Sequence, residues 1–597
     1  MFFLNLFIFA DLLKILTKNL KVTIMVEAIR KTLRDSKVAR WTALAVVAFT
    51  MLTGYYLTDV MAPLKGLLEG QLQWDSSEFG FFTSAYGWFN VFLLMLIIGG
   101  IILDKMGVRF TGLMAAMIMV AGTAIKYWAV STHSLDGTTW HILFWEAKAQ
   151  VFMAGLGFAI FGVGVEVAGI TVSKIIVKWF KGKELALAMG LEMATARLGT
   201  ALALSTSVPI AKAFNNVSAP ILVCLIMLCI GLIAFIIYTF MDKKLDASQA
   251  VYDAANKTVD TEEAFRISDI WKIVGNKGWW YIAILCVLFY SAVFPFLKYA
   301  TDLMVQRFNI NEDVAGIIPA MLPFGTILLT PLFGNLYDRK GKGATIMIIG
   351  SILLIFVHTM FAIPFINQWF IAILLILVLG VGFSLVPSAM WPSVPKIIPE
   401  KQLGTAYALI FWVQNWGLMG VPALIGWVLN KYCFFGYFAI MGTGFITHQG
   451  DNVVKLATFD QNVYDLTTVG SISRKDTTVQ VNRFIQDANG NVTSIVVSTG
   501  DTIQRIHISD KAFKKVEKRK EVKVPLYSYE DKGRIDHFIT NKGENVTKYN
   551  NVASFYNYTI PMIIFTSLGI LALIFAFLLK AEDKKKGYGL EKPNIQK

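Results

Sequence analysis

Twelve apolar runs, each long enough to cross a bilayer, limit what this chain can fold into. They lie near residues 39–61, 79–103, 109–130, 149–177, 185–210 and 217–241, then near 279–305, 313–336, 344–366, 369–394, 403–430 and 557–580. A spanning helix needs roughly 20 apolar residues. Of the 597 residues, 55% are hydrophobic and only 16% charged. No soluble core hides that much apolar surface, so the sequence predicts a polytopic membrane protein. Lipid leaves no water for unpaired backbone groups, so every run reads as a helix. The expected fold class is an all-α membrane protein of about 12 transmembrane helices in two six-helix bundles, plus a small external β-rich insertion.

The parts follow in order: an N-terminal segment 1–38, a six-helix bundle 39–241, a polar linker 242–278, helices seven to eleven over 279–430, an insertion 431–556, helix twelve over 557–580 and a tail 581–597. Pro63, Pro295, Pro331, Pro387 and Pro392 are expected to kink or end their helices. Lys105/Arg109, Lys181/Lys183, Arg339/Lys340/Lys342 and Lys396/Lys401 fall in the turns after spans 2, 4, 8 and 10, which makes that face and both termini cytoplasmic. The net charge of +14 sits in these short turns, which points to a bilayer and away from nucleic acid. Phe2 to Leu16 is apolar but short, is interrupted by Asp11 and lacks a basic leader, a poor signal peptide. Residues 1–24 read either as an interfacial helix or as upstream of a true start at Met25. Cys224, Cys229 and Cys286 lie in apolar runs as packing residues, and Cys433 completes a set with no metal or disulfide spacing.

The insertion 431–556 reads as a small β domain. Thr477 to Phe484 alternates at period two, Asp487-Ala488-Asn489-Gly490 is a turn, and Val492 to Ser498 is a further strand. His448, His507 and His537 are isolated, so it is expected to be a cap or a docking surface for an external protein partner. Asn491-Val492-Thr493 and Asn545-Val546-Thr547 are formal glycosylation acceptors.

Two charges stand out within the apolar runs. Glu166 in span 4 and Arg197 in span 5 flank the turn Trp179-Phe180-Lys181-Gly182-Lys183-Glu184, each roughly 14 residues away. At about 1.5 Å per residue both lie ~20 Å from that turn, near the bilayer centre. A charge at that depth faces a partner or a watery cavity. Facing each other across a cavity, they suit a zwitterion, with Arg gripping a carboxylate bidentately; the competing reading is a direct salt bridge locking two helices. Tyr86, Trp88 and Asn90 in span 2, Tyr290 and Lys298 in span 7, Trp391 in span 10, and Tyr407, Trp412, Gln414 and Asn415 in span 11 are further cavity candidates. Glu192, about 140° around the helix from Arg197, is expected to face elsewhere, Asp59 to lie at the outer surface and Lys174 to snorkel at the cytoplasmic interface.

Gly100-Ile101-Ile102-Leu103-Asp104-Lys105-Met106-Gly107-Val108-Arg109 follows span 2. Gly334-Asn335-Leu336-Tyr337-Asp338-Arg339-Lys340-Gly341-Lys342-Gly343 follows span 8, 234 positions later. The glycines Gly100, Gly107, Gly334 and Gly341 allow close helix approach and tight turns. The charges of Asp104, Lys105, Arg109, Asp338 and Arg339 can pair when the cytoplasmic side shuts and separate when it opens.

This doubled pattern resembles the loop signature of the major facilitator superfamily, which implies two six-helix bundles and rocking access to a central site. Gly162-Val163-Gly164-Val165-Glu166, the turn after it, and Ala194-Thr195-Ala196-Arg197-Leu198-Gly199 look like spans 4 and 5 of that superfamily's lysosomal dipeptide transporter branch. Val293-Phe294-Pro295-Phe296, Met390-Trp391-Pro392-Ser393-Val394-Pro395, Pro399 to Tyr407 and Gln414-Asn415-Trp416-Gly417-Leu418 look similar too. The resemblance implies that Glu166 and Arg197 bind the two charged ends of a dipeptide. The chain departs from that branch at Asp59-Val60-Met61-Ala62-Pro63, where an acidic-Asn-Pro stretch is expected, in its large insertion, and in lacking an acidic-dileucine sorting signal.

The expected function is therefore alternating-access transport of small zwitterions, most simply dipeptides by uniport, since the Glu-x-x-Glu-Arg pattern of proton-driven carriers is absent from span 1. An organic-anion or nitrate-type carrier is the runner-up and needs a second cation facing Arg197. A membrane-anchored receptor using the insertion is the third reading. No P-loop, nucleotide fingerprint, metal-ligand cluster or nucleophile–base pattern occurs, so no enzyme, cofactor or metal is expected. The expected partners are a small-molecule substrate and the lipid bilayer. The membrane is expected to be a bacterial inner membrane, or a lysosomal one if the source is eukaryotic.

Overall fold

The computed structural model describes residues 35–142, 145–180, 184–256, 267–399, 402–449, 453–458, 463–467, 471–486, 492–499, 502–507, 521–531, 538–539, 545–546 and 552–593. The readings of residues 1–34, 181–183, 257–266, 401, 487–491, 537, 547 and 594–597 lie outside them.

Among the described residues, 11 helices are long and apolar enough to cross a membrane. They include α1 (Lys37–Asp59), α2 (Met95–Ser131), α3 (Ala149–Phe180), α4 (Leu185–Ala213), α5 (Ala219–Asn256), α6 (Lys277–Phe308), α7 (Ile317–Lys340), α8 (Gly343–Ala362), α9 (Trp369–Ile397), α10 (Leu403–Tyr432) and α11 (Thr559–Lys586). Ser36 caps α1 through Ala39 N, and Asn276 caps α6 through Gly278 N and Trp279 N, as short polar side chains at helix starts do. On α5, Ile226, Ile230, Ile233 and Ile237 are 52–60% exposed in one stripe. An apolar stripe left bare at that spacing is a surface built for lipid.

Among these helices α2 folds back on itself, so that one helix carries the end of the expected span 2 and the whole of span 3. Gly107 takes φ 77° and ψ 173° in its middle, a conformation that only glycine adopts without strain. Before it, Gly99 meets Val167 and Asp104 pairs with Lys174, so contacts climb α3 together. After it, Ala115 and Met119 meet Gly164 and Gly122 meets Phe161, so contacts descend α3. The chain thus reverses at the glycine of the first basic motif. Its counterpart Gly341 has φ 69° in the turn from α7 to α8. Gly100 and Gly334 stand in open space, so close approach is not their role in this conformation.

Span 2, expected as one helix over 79–103, is broken. Ser76–Ser84 is followed by a 3-10 turn Ala85–Gly87, a short helix Trp88–Phe92 and then α2. A Cβ on Gly162 would collide with the Tyr86 carbonyl, so a bare glycine in α3 lets this turn sit against it. α1 ends before Pro63, which lies in the 3-10 segment Ala62–Leu64, whereas Pro295, Pro331, Pro387 and Pro392 lie inside continuous helices.

Residues 64–80 and 425–561 form a compact unit of their own, while the remainder, including the crossings that bear the candidate site, forms another. The smaller unit holds an eight-stranded sheet. Its strands are β1 (Phe434–Gln449), β2 (Val453–Thr458), β3 (Val463–Thr467), β4 (Ser471–Gln486), β5 (Val492–Thr499), β6 (Thr502–His507), β7 (Glu521–Asp531) and β8 (Val552–Tyr556). The order is β3-β2-β1-β7-β4-β5-β6, with β8 also on β1 and every pairing antiparallel. The alternating stretch Thr477 to Phe484 lies in β4 and Val492 to Ser498 in β5. Within the same unit Lys65 and Glu69 pair at 2.7 Å, both buried.

Candidate functional site

A cavity of about 100 Å³ opens between the two helical halves. At ~30 Å³ per water it has room for a few waters. Tyr55, Thr58 and Asp59 of α1, Thr83 and Tyr86 of the broken span, and Val165 and Glu166 of α3 line one side. Phe294, Pro295 and Lys298 of α6 and Gln414, Leu418 and Pro422 of α10 line the other. Four of the sequence candidates, Glu166, Tyr86, Lys298 and Gln414, therefore meet in one space.

Glu166 is half-buried, and its Oε1 accepts a 2.7 Å hydrogen bond from the Tyr86 hydroxyl. Asn415 lies beside the same carboxylate, with its Nδ2 donating to Phe411 O at 3.0 Å. Arg197 is also half-buried. Its guanidinium carbon lies 5.2 Å from the ring centre of Phe383, 5.4 Å from Phe294 and 5.9 Å from Tyr55. Among the described residues no carboxylate lies within ion-pair distance of Arg197, so the direct Glu166–Arg197 bridge is not made. The guanidinium is held by ring faces, which leaves its N–H fork free for a carboxylate. It stands behind Tyr55 and Phe294, which line the cavity.

The other aromatic candidates support that cage. Tyr407 donates to Trp391 O at 3.1 Å, and Trp391 Nε1 donates to the Tyr290 hydroxyl at 3.1 Å. Tyr290 packs on Phe294 and Phe383 at 5.4 and 5.7 Å between centroids, the two rings nearest Arg197. Trp88 and Asn90 do not line the cavity. Trp88 Nε1 donates to Ser84 Oγ at 3.2 Å, and buried Asn90 bridges to Gly162 O at 3.3 Å, so both fasten span 2. Trp412 donates to Val91 O at 3.1 Å, tying span 11 to span 2.

One reading of a charged residue changes. Asp59, expected at the outer surface, is buried and pairs with the cavity candidate Lys298 at 2.6 Å, and Lys298 also donates to Thr58 O. Lys174 pairs with Asp104 at 3.0 Å. Lys126, near the outer end of the apolar run of span 3 and not a sequence candidate, is fully buried, and its Nζ makes no hydrogen bond.

The basic turns form networks within each half. Arg109 reaches Asp246 at 2.6 Å and buried Asp242 at 3.3 Å. Asp242 also accepts from Lys178, Trp179 Nε1 and the Tyr238 hydroxyl. Arg40 pairs with Glu184 at 3.0 Å. Lys105 and Arg339 are exposed, and Asp338 is half-buried. In the second half the tail clasps the motif. Lys342 N and Gly343 N donate to the carbonyls of Glu591 and Leu590 at 3.0 and 2.9 Å. The Glu591 carboxylate takes Thr345 N and Thr345 Oγ1 at 2.9 Å each, capping α8. Lys396 holds the carbonyls of Gly589 and Lys592, and Asp583 accepts from Gly589 N and Leu590 N. On the opposite face, Lys212 of α4 pairs with Glu312 and Asp313 at 2.8 and 2.7 Å, a further tie between the halves besides Lys298–Asp59 and Trp412–Val91.

Two helical halves around a largely apolar cavity that holds a few charged side chains, with paired basic turns on one face, define a membrane solute transporter. The profile of the Major Facilitator Superfamily matches residues 44–422, and the chain belongs to that family as a multi-pass integral membrane protein. It is 26% identical over 402 residues to the lysosomal dipeptide transporter MFSD1 of Mus musculus, covering 66% of this chain and 80% of the relative. It is 25% identical over 413 residues to the Homo sapiens protein of that name, covering 67% and 83%. Among solved structures, a bacterial homologue of the human lysosomal transporter Spinster aligns with a TM-score of 0.50 at 11% identity, over 66% of this chain and 83% of the other, a likeness of fold alone.

Proposed function

We propose that this chain moves dipeptides across its membrane by alternating access, as a uniporter. The observation that carries the reading is the separation of charges at the centre. A hydrogen-bonded carboxylate, Glu166, lines the cavity, and Arg197, caged by rings, has no carboxylate within ion-pair distance among the described residues. A dipeptide brings an ammonium for the first and a carboxylate for the second, and the aromatic wall between accepts varied side chains. The relatives named dipeptide transporters support the same substrate class. The basic face is cytoplasmic by its cations, so the ties Lys298–Asp59 and Lys212–Glu312 shut the outer side and this conformation faces inward. The β-rich unit is external, as a cap or protein-docking surface.

An anion carrier needs a second free cation facing Arg197. Lys298 is neutralised by Asp59 at 2.6 Å, which favours the zwitterion.

Thermal unfolding of the purified chain against a panel of dipeptides tests the proposal. A ligand at ~100 times its Kd stabilises the folded state by about 2.7 kcal/mol. Dipeptides are expected to raise the Tm of the wild type but not of Glu166→Gln or Arg197→Ala. Shifts with organic anions alone would replace the reading with the anion carrier. Counterflow in liposomes is expected to proceed without a proton gradient, and uptake that requires one would end the uniport assignment.

A further inference from the structure

Two seams join the first half to the second, and they are built differently. In one, α4 meets the start of α7; in the other, span 2 meets α10. Each has a glycine at its closest approach: a Cβ on Gly316 would collide with Leu204 O, and one on Gly426 with Ser76 O. The α4–α7 seam is tied by Lys212 to Glu312 and Asp313 at 2.8 and 2.7 Å, with these side chains 29–52% exposed. Ion pairs that wet hold little. The other seam is longer and drier. Within the larger unit, Trp412 Nε1 donates to Val91 O at 3.1 Å, Trp416 packs on Phe92 at 5.7 Å between centroids, and a Cβ on Gly87 would lie 2.8 Å from Met419 Cβ. Within the smaller unit, Asn430 Nδ2 donates to Asp75 Oδ2 at 2.9 Å. There the buried Lys65–Glu69 pair also takes Ser76 Oγ at 3.3 Å, and the Tyr556 ring centre lies 4.1 Å from Lys65 Nζ.

The partners in the smaller unit come from both halves. Lys65, Glu69, Asp75 and Ser76 follow α1, whereas Asn430 ends α10 and Tyr556 ends β8, just before α11. Residues 64–80 of the first half thus share one compact unit with 425–561 of the second. Parting them would take the ring off a buried ammonium, and such contacts hold most where water is excluded. The first-half stretch is also jointed where it begins and ends. The 3-10 segments Ala62–Leu64 and Ala85–Gly87 flank it, and short 3-10 stretches between helices mark hinges. The Lys298–Asp59 tie lines the cavity, where entering water can solvate both charges. We propose that the seam between span 2 and α10 stays clasped throughout the transport cycle and that the outer side opens at the α4–α7 seam, so that the halves swing about one edge instead of parting evenly. The base of the β-rich insertion is then the clasp of that hinge. This inference rests on the alternating-access reading of the same molecule.

Cross-linking each seam in the full chain tests it, after Cys229→Ala; the other native cysteines are buried. Asp75→Cys with Asn430→Cys bridges the clasp, and Lys212→Cys with Glu312→Cys bridges the other seam, each closed by a short bis-methanethiosulfonate. In liposomes, dipeptide counterflow is expected to be unchanged by the first bridge. The second bridge is expected to abolish it until dithiothreitol removes the link. Spin-label distances in lipid nanodiscs, without solute, read the same motion. One pair of labels goes on Phe214→Cys and Val314→Cys, the other on Ser77→Cys and Lys431→Cys, none of them buried. Lys212→Glu, which sets three carboxylates together at the α4–α7 seam, is expected to add a long-distance population at the first pair and none at the second. Loss of counterflow with both bridges, or a long-distance population at both label pairs, overturns the hinge and leaves alternating access standing. Counterflow through the Lys212–Glu312 bridge, or no movement at either label pair, overturns both.

Discussion

The Tyr86 hydroxyl donates a 2.7 Å hydrogen bond to Oε1 of Glu166, across 80 residues of sequence. Tyr86 occupies a 3-10 turn that Gly162 admits against α3. The bond aims the carboxylate into the cavity without neutralising it. Tyr86→Phe removes one hydrogen bond to a charged group, worth about 1.5–3 kcal/mol. The expected outcome is a dipeptide Kd weakened by about tenfold or more, read by titration of the thermal shift, with the fold retained.

Asp242 and Asp104 both belong to the basic-face network but differ in setting. Asp242 is fully buried and takes bonds from Lys178, Trp179, Tyr238 and Arg109. Asp104 pairs with Lys174 where both are partly exposed. Asp242→Asn breaks a buried pair and is expected to cost about 3–5 kcal/mol. Asp104→Asn removes a surface pair worth at most ~1 kcal/mol. Thermal unfolding of the two variants side by side should show a large drop for the first and little for the second.

The two motif glycines make a second comparison. Gly107 and Gly341 both have positive φ, so an alanine at either pays ~1–2 kcal/mol in backbone strain. A Cβ at Gly107 meets nothing, whereas one at Gly341 collides with the backbone of Glu591 to Pro593. Gly341→Ala is therefore expected to lower the Tm further than Gly107→Ala, and deleting 587–597 should narrow the difference.

Glu591 caps α8 from the C-terminal tail, through Thr345 N and Oγ1. Replacing a capping side chain with alanine costs about 1 kcal/mol. Glu591→Ala is expected to lower the Tm modestly. Proteolysis should then cut the tail faster, because its clasp on Lys342 and Gly343 is weakened.

Much of the fold was legible along the chain. Each span announces itself by its own apolar run, and Gly107 and Gly341 mark the turns by repetition. Glu166 and Arg197 announced themselves by depth, since a charge in lipid needs a reason. Asp59 could not be placed this way: it stands at a helix end, where a charge is ordinary. Trp88 and Asn90 look like cavity residues by type, but the break at Ala85–Gly87 sets how span 2 turns, and they bond to Ser84 and Gly162 instead.

The sequence by itself determined the apolar helices, the plan of the fold, the glycine turns and which runs carry the central charges. Hydropathy and charge act locally, on the helix that bears them, so they can be read in order along the chain. Only the tertiary structure decided that Lys298 meets Asp59 across 239 residues, that three rings cage Arg197, and that the tail grips the second motif. Those contacts depend on how each helix is rotated and which neighbour it faces, which packing among distant residues sets and no single run records.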